Sequence, residues 1–373
     1  MEKKTIYIGG GVLLGVLILL LLVVWLLSVL TPHYYDYYEA EELISSKTKS
    51  YMKQNPSELP SSDGRHSFDY ETLVEADYIK PLNKILRDGD ECSVQIYIDK
   101  NGAAYSYSTK LSCGDNYQTT EFYKQFLKDH QTVTSESGLY SDTKGGYYLR
   151  GKINNNYVVF GSRVVKKEKV NLLWKVISID SNNNIKLRAT FPTMASTKWD
   201  DRYNEEDRSS NGYNDFETSV IKDFLKGLET DDEVLSENYR GKLVPKQLCI
   251  APREKKDATM DGSVECSIMS KDSYLFGTIT PYEYMRASLD EKCNALGNRS
   301  CSNFNFIAGV QDEDEWTLTA VPGTNNEAYT FTGRSFSTDR CRGKKSIYVT
   351  VTLNQYVYYR SGSGTEADPY VIK

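Results

Sequence analysis

Residues 92–113 read CSVQIYIDKNGAAYSYSTKLSC, and this stretch sets the fold class of the chain. Cys92, Val94, Ile96 and Ile98 alternate with other side chains, and Tyr105, Tyr107, Thr109, Leu111 and Cys113 alternate again. A period of two puts every second side chain on one face of an extended chain, the mark of paired strands. Between the two runs, Asn101-Gly102 supplies the positive φ that a tight reversal needs. The spacing predicts a β-hairpin and leaves two registers open. A two-residue loop pairs 98 with 105 and sets Cys113 diagonal to Cys92. A four-residue loop over 101–104 sets the two cysteines directly opposite. Both registers keep the sulfurs on one face, so a structural Cys92–Cys113 disulfide is expected. Closing about 20 residues restricts the unfolded chain and contributes about 3 kcal/mol.

Toward the N-terminus, Ala40, Leu43, Ile44 and Tyr51 follow helical spacing over about 35–54, and Pro56 stops that helix. Asp69 is the expected N-cap of a short helix near 70–76. Further out, the run from Thr5 to Leu30 has 26 positions without a charged side chain, eighteen of them Leu, Ile or Val. At about 1.5 Å per residue it reaches roughly 39 Å, enough to cross a hydrocarbon core of about 30 Å. A soluble helix keeps a polar face, and this run has none. A cleaved signal peptide has an apolar region of only about 7–15 residues and a small-x-small site. The run is therefore expected to be an uncleaved transmembrane signal-anchor, with Thr31-Pro32 kinking the chain beyond it.

Lys3 and Lys4 precede the apolar run, whereas Asp36, Glu39, Glu41 and Glu42 follow it before any Lys. Basic residues favour the cytoplasmic flank, so the expected topology is single-pass in the cell membrane, with residues 31–373 extracytoplasmic. Tyr34, Tyr35, Tyr37 and Tyr38 then fall at the outer interface, where amphipathic rings are favoured. All seven cysteines (92, 113, 249, 266, 293, 301 and 341) lie on that side, in keeping with an oxidising compartment. A formal net charge of −6 argues against nucleic acid as a partner. The lipid bilayer is the expected partner of residues 5–30.

The length suits two outer domains. The expected organisation is a cytoplasmic stub at 1–4, the anchor at 5–30 and a membrane-proximal domain at 31–128. A polar linker at 129–146 and a distal module at 147–373 follow. In the distal part, residues 156–161, 173–179 and 185–189 read as strands, with Asn182-Asn183-Asn184 as a turn. Asn214 and Glu217 form a capping-box pattern before an apolar face of Phe216, Val220, Ile221, Phe224, Leu225 and Leu228. Thr280-Pro281-Tyr282-Glu283 is a second helix start, expected to run to about 289. Strands are predicted again at 316–320, 347–353 and 355–360. Strands around two short helices make the class α+β.

Several distal motifs resemble a known pattern. They are Asn156-Tyr157-Val158-Val159-Phe160-Gly161, Leu173-Trp174-Lys175-Val176-Ile177-Ser178-Ile179-Asp180, Ser210-Asn211-Gly212-Tyr213-Asn214-Asp215-Phe216-Glu217-Thr218-Ser219, Asp314-Glu315-Trp316-Thr317-Leu318, and the ending Gly364-Thr365-Glu366-Ala367-Asp368-Pro369-Tyr370-Val371-Ile372. Together they resemble an uncharacterised extracytoplasmic surface module of Gram-positive anaerobes, with a C-type-lectin-like or formylglycine-enzyme-like fold. The resemblance covers 147–373 and implies a fold and a location, not a catalytic residue. Residues 34–117 are similar to a type IV pilin or pseudopilin head in Leu73-Val74-Glu75-Ala76-Asp77-Tyr78-Ile79 and in the cysteine-bounded hairpin.

Candidate chemistry is sparse. Asp312, Glu313, Asp314 and Glu315 form the densest acidic run, whose hard oxygens suit Ca2+, the one candidate cofactor. Asp200, Asp201, Glu205, Glu206 and Asp207 are a second carboxylate cluster. The three histidines are His33, His66 and His130, so no His-based nucleophile pair exists in the distal part. Cys249–Cys266 and Cys293–Cys301 are the expected distal disulfides. Cys341, between Arg340 and Arg342, is left as a free or partner-directed thiol that the neighbouring cations could activate, the other reading being a disulfide with another distal cysteine. With 29 Tyr in the chain, ring clusters such as Tyr147-Tyr148 suit a glycan or protein ligand. The expected function is that of a membrane-anchored surface protein for adhesion, ligand recognition or envelope structure, not catalysis. The alternative is a membrane-anchored hydrolase or modifying enzyme of cell-envelope glycans.

Overall fold

The computed structural model describes residues 34–165, 167–296, 306–307, 314–332 and 335–373. The expected anchor at 5–30 and the Thr31-Pro32 kink lie outside the described residues. Among the described residues no helix is long and apolar enough to cross a membrane. The fold is mixed α+β with disulfide bonds. It divides into two compact units: residues up to Leu59 with Ser67–Ile96 and Thr109–Gln118, and Pro60–His66 with Tyr97–Ser108 and Thr119–Lys373.

The first unit is built on the helix Tyr37–Gln54. Asp36 accepts from the Glu39 amide at 2.7 Å and Glu39 accepts from the Asp36 amide at 3.1 Å, a reciprocal cap that fixes the first turn. Ala40, Ile44, Thr48, Tyr51 and Met52 form its buried face. Glu41 is buried beside them, where its carboxylate accepts from the Tyr117 hydroxyl at 3.0 Å. The helix Tyr70–Glu75 starts where expected, with Asp69 accepting from the Glu71 amide.

The hairpin strands are Cys92–Asn101 and Ala104–Cys113, with Gly102 at φ 58° in the turn. Cys92 and Cys113 are bonded with their Cα atoms 4.0 Å apart, so of the two open registers the directly opposed one is realised. The hairpin lies in a four-stranded sheet with Gly64–Phe68 outside one strand and Tyr117–Gln118 outside the other. Residues 97–108 of the hairpin belong to the second unit.

The second unit is organised by two larger sheets among the described residues. In the first, Glu168–Ile179 lies between Tyr157–Val165 and Ile185–Ala189, antiparallel to both. Thr350–Leu353 continues it on one side, and Tyr370–Ile372 joins it parallel on the other. In the second sheet the order is Met194–Lys198, Lys344–Ile347, Glu315–Ala320, Glu327–Thr332 and Ser335–Arg340. Val158, Phe160, Trp174, Val176, Leu187, Trp199, Trp316, Ile347 and Val351 are among the side chains of one continuous apolar cluster.

Several expectations need correction. The stretch 129–146, read as a linker, is part of the second unit. It carries the strand Gly138–Ser141, paired with Tyr147–Arg150, and buries Leu139. Polar composition misled there because the strand's buried side chains, Leu139 and Tyr140, are two adjacent residues, too few to show a periodicity. The preceding helix Phe122–Asp129 also belongs to this unit and puts Phe122 and Phe126 into its core. The single strand expected over 347–353 is two strands, Lys344–Ile347 and Thr350–Leu353, in different sheets. The chain changes sheets at Tyr348-Val349, which a continuous β-branched run cannot reveal. Asn214 does not cap a helix. Its side-chain amide donates to the Glu327 carbonyl at 2.9 Å, and the helix Val220–Gly227 starts from Ser219. The Thr280–Glu283 capping box forms as expected, on the helix Pro281–Arg286.

Candidate functional site

The turn at Asn182-Asn183-Asn184 begins the site. Asp180 Oδ1 accepts from the Asn182 and Asn184 amides at 2.9 Å each, and Asn183 takes the left-handed φ of 61° that closes the loop. This leaves Asp180 Oδ2 facing Lys246, whose Nζ donates to it at 3.0 Å. Lys246 opens the strand Lys246–Cys249, which pairs with Met269–Tyr274 and is bonded through Cys249 to Cys266. The capped helix contributes Glu283. Its Oε2 accepts from the Thr280 amide and hydroxyl at 2.9 Å each, and its Oε1 from Lys186 Nζ at 2.5 Å. One turn later, Arg286 Nη1 donates to Asp142 Oδ2 at 2.9 Å, and its guanidinium lies over the rings of Tyr148 (4.5 Å) and Tyr282 (5.2 Å).

These elements enclose a cavity of about 370 Å³, with Cys249 and Tyr147 also in its wall. That size falls within the range of small-ligand sites. Among the lining residues are four cations, Lys144, Lys186, Lys246 and Arg286, and four carboxylates, Asp142, Asp180, Asp261 and Glu283. The charges are paired or capped. Lys144 Nζ donates to the Asp261 carbonyl at 3.0 Å, and Asp261 Oδ1 accepts from the Ser263 amide at 2.9 Å.

All four carboxyls are held below their ordinary pKa values. Burial alone would raise Asp142, but the Lys144 amide and the Arg286 guanidinium outweigh it. Burial also opposes ionisation of Asp180 and of Glu283, and is outweighed by Asn184 with Lys246 in the one case and by Lys186 in the other. Asp261 is lowered by its hydrogen bonds from Ser263. The wall thus carries fixed, compensated charge.

The residues singled out in the sequence lie elsewhere or are committed to other partners. Cys92–Cys113 and Cys249–Cys266 are disulfides. Cys293 is disulfide-bonded, and its expected partner Cys301 lies outside the described residues. Cys341 is a free thiol but buried, and burial raises its pKa, with Asp200 adding to the effect. The adjacent arginines therefore do not activate it, and a sulfur in the core cannot meet a partner's thiol. Asp312 and Glu313 lie outside the described residues. Asp314 accepts from Lys345 at 2.9 Å, and the buried Glu315 from Arg188 at 2.7 Å, so these two do not converge on a Ca2+ position. Asp200 accepts from Arg202 and from the Tyr213 amide, and Asp207 from Asn211 and Asn326, so that second cluster folds its own loop.

A second polar cluster in the same unit is structural. Arg65 makes a bidentate pair with Asp99, at 2.7 Å for both bonds, between the rings of Tyr97 (4.4 Å) and Tyr356 (3.8 Å). Nearby, burial depresses the Lys242 ammonium to about 8 from an ordinary 10.5, with Asp99 opposing and Arg65 reinforcing the shift. Below pH 8 both folded and unfolded chains hold the proton, and the cost of burying the charge is fully present. Between pH 8 and 10.5 the unfolded chain keeps a proton that the folded chain has released, so stability rises with pH in that window. Lys242→Met is therefore expected to stabilise the chain at pH 7 by up to about 3 kcal/mol, with the gain vanishing near pH 10.5. Denaturant unfolding of both proteins at pH 7 and at 10.5 checks this.

Sequence reasoning missed the cavity. Its charged residues span positions 142 to 286; of them only Asp180, at the end of a strand motif, and Glu283, read correctly as a cap, stood in a motif, and neither reading pointed to a cavity. No protein-family model, curated protein or solved structure matches the chain.

Proposed function

We propose that the chain is a single-pass, membrane-anchored extracytoplasmic surface protein that recognises a ligand in this cavity and does not catalyse a reaction there. We read the second unit as lectin-like and the first as pilin-like, on the motifs and the disulfide hairpin that suggested those likenesses. The observation that carries the recognition reading is that three of the four carboxyls are in ion pairs, Asp142 with Arg286, Asp180 with Lys246 and Glu283 with Lys186. Glycan hydrolysis by a carboxyl pair needs one of them held protonated near neutral pH, hence with a raised pKa. Here all four are shifted the other way. Among the described residues no histidine lines the cavity, and the free thiol of Cys341 is buried in the core. The disulfides support an oxidising compartment, and the uncharged run at 5–30 supports anchorage.

Two measurements test the reading. Protease added to intact cells is expected to digest residues beyond 34, and protection that ends only when cells are opened overturns the topology. The full chain, incubated with isolated cell-envelope material, is expected to co-sediment without releasing reducing ends. Release that Glu283→Gln abolishes would establish the hydrolase instead.

A further inference from the structure

The walls of the cavity restrict the chemistry of what enters it. Each cation already faces an oxygen of the protein, and each carboxylate already accepts hydrogen bonds: Asp142 from Arg286, Asp180 from Lys246, Glu283 from Lys186 and Asp261 from Ser263. Three of the four cations are in ion pairs, and the two charges outside them, Lys144 and Asp261, are exposed and of opposite sign, so away from those two neither an anionic nor a cationic ligand finds an unpaired counter-charge. Either one would have to break an ion pair or carry its charge into the site uncompensated, which is costly in a partly dehydrated wall. A purely apolar ligand would strip water from eight charged groups and return nothing to them.

A group that donates and accepts at once suits such a wall. A Lys ammonium has three donors, and Lys186 and Lys246 each give one to a carboxylate. A hydroxyl oxygen can take another of those protons while its own proton goes to a carboxylate lone pair, so that it bridges the ion pair without separating it. Ser178, Ser181 and Thr352 in the same wall add hydroxyls that switch between donor and acceptor. Half-buried Tyr147 adds a ring against which the C–H face of a saturated ring can pack.

We propose that the ligand of this cavity is a neutral, polyhydroxylated ring, the chemistry of an uncharged hexose unit of a glycan, held by hydroxyls set against the ion pairs and without a metal ion. This rests on the recognition reading above and narrows it to one ligand class.

The test is titration calorimetry on the full chain in an amine-oxide detergent, because a sugar-headed detergent would compete. The probes are a panel of neutral methyl hexosides and cellobiose, glucuronate as the anion, glucosamine as the cation, and N-acetyl-trialanine amide as a neutral peptide, all with EDTA present. The expected result is binding of neutral saccharides at least tenfold tighter than of the other probes. Lys246→Met leaves Asp180 without its cation. It should weaken neutral saccharides tenfold or more and turn the preference toward glucosamine. Lys144→Met, at an exposed lysine whose charge helps hold Asp142 and Asp261 ionised, should also turn the preference toward glucosamine and serves should Lys246→Met unfold. Ser181→Trp fills the mouth at an exposed position and should abolish binding. Unfolding midpoints near wild type show that lost binding is not lost folding. If a charged probe or the peptide binds best and Ser181→Trp removes it, the ligand class is wrong while the recognition site stands. If no probe shows binding that Ser181→Trp removes, the inference and the recognition reading fall together.

Discussion

Phe126→Ala is expected to lower the unfolding free energy of the second unit by about 3–5 kcal/mol, the range for truncating a fully buried ring. Phe126 is 0% exposed, on the helix Phe122–Asp129. Its ring lies 6.1 Å from Phe122, 6.0 Å from Tyr370 and 4.0 Å from the stacked His130. Tyr370 comes from the last strand, so the ring joins the start of this unit's long segment to its end. The wider consequence concerns where the unit begins. A fragment of residues 147–373 lacks this helix and the strand Gly138–Ser141, and is expected not to unfold cooperatively. Urea unfolding of residues 34–373 checks the first statement, with the partly exposed Val220→Ala as a control expected to cost under about 1 kcal/mol. A cooperative transition in the 147–373 fragment would refute the second.

Arg253→Met is the second large effect, again about 3–5 kcal/mol, because it strands a buried charge. Arg253 Nη1 donates to both oxygens of Glu265, at 3.0 and 2.9 Å, and both side chains are fully buried. Arg253 Nη2 also ties down the loop through the Asp257 carbonyl at 2.9 Å and the Thr259 carbonyl at 2.5 Å. Burial already pushes the Glu265 carboxyl above its ordinary value, with Arg253 opposing. Without the arginine the folded-state pKa climbs further. A group whose folded pKa is raised loses stability as pH rises through the window above its unfolded value. The deficit of Arg253→Met should therefore be smaller at pH 5 than at pH 8. Arg253→Met with Glu265→Leu removes both charges and should recover most of the loss. Glu265 Oε1 also accepts from the Tyr282 amide at 3.0 Å, and Tyr282 lines the cavity. The single variant is thus expected to lose ligand affinity as well as stability, which thermal unfolding and calorimetry on one sample separate.

Much of the fold was legible where the signal is local. The hairpin at 92–113, its disulfide, the helix ending before Pro56 and the Thr280–Glu283 cap all follow from interactions within about 20 residues, which spacing and turn chemistry encode. The errors occurred where a distant partner decided. Asn214 fits a cap by its spacing, yet carbonyls around residue 324 claim its amide. The run at 347–353 reads as one strand, yet its two halves pair with different strands. Cys341 looks activated by its sequence neighbours, but desolvation in the core outweighs them.

By itself, the sequence determined the α+β class, the cysteine-bounded hairpin and the uncharged run near the start, because side-chain periodicity and local turn chemistry are properties of short segments. Only the tertiary structure decided which unit holds 119–146, and that Asp314 and Glu315 are bound to Lys345 and Arg188 instead of standing free for a metal ion. It alone brought Asp142, Asp180, Lys246 and Glu283 to one cavity. The reason is physical: whether a charged side chain is solvated, paired or poised for a ligand depends on the field of its neighbours in space, and that field forms only when distant strands close around it.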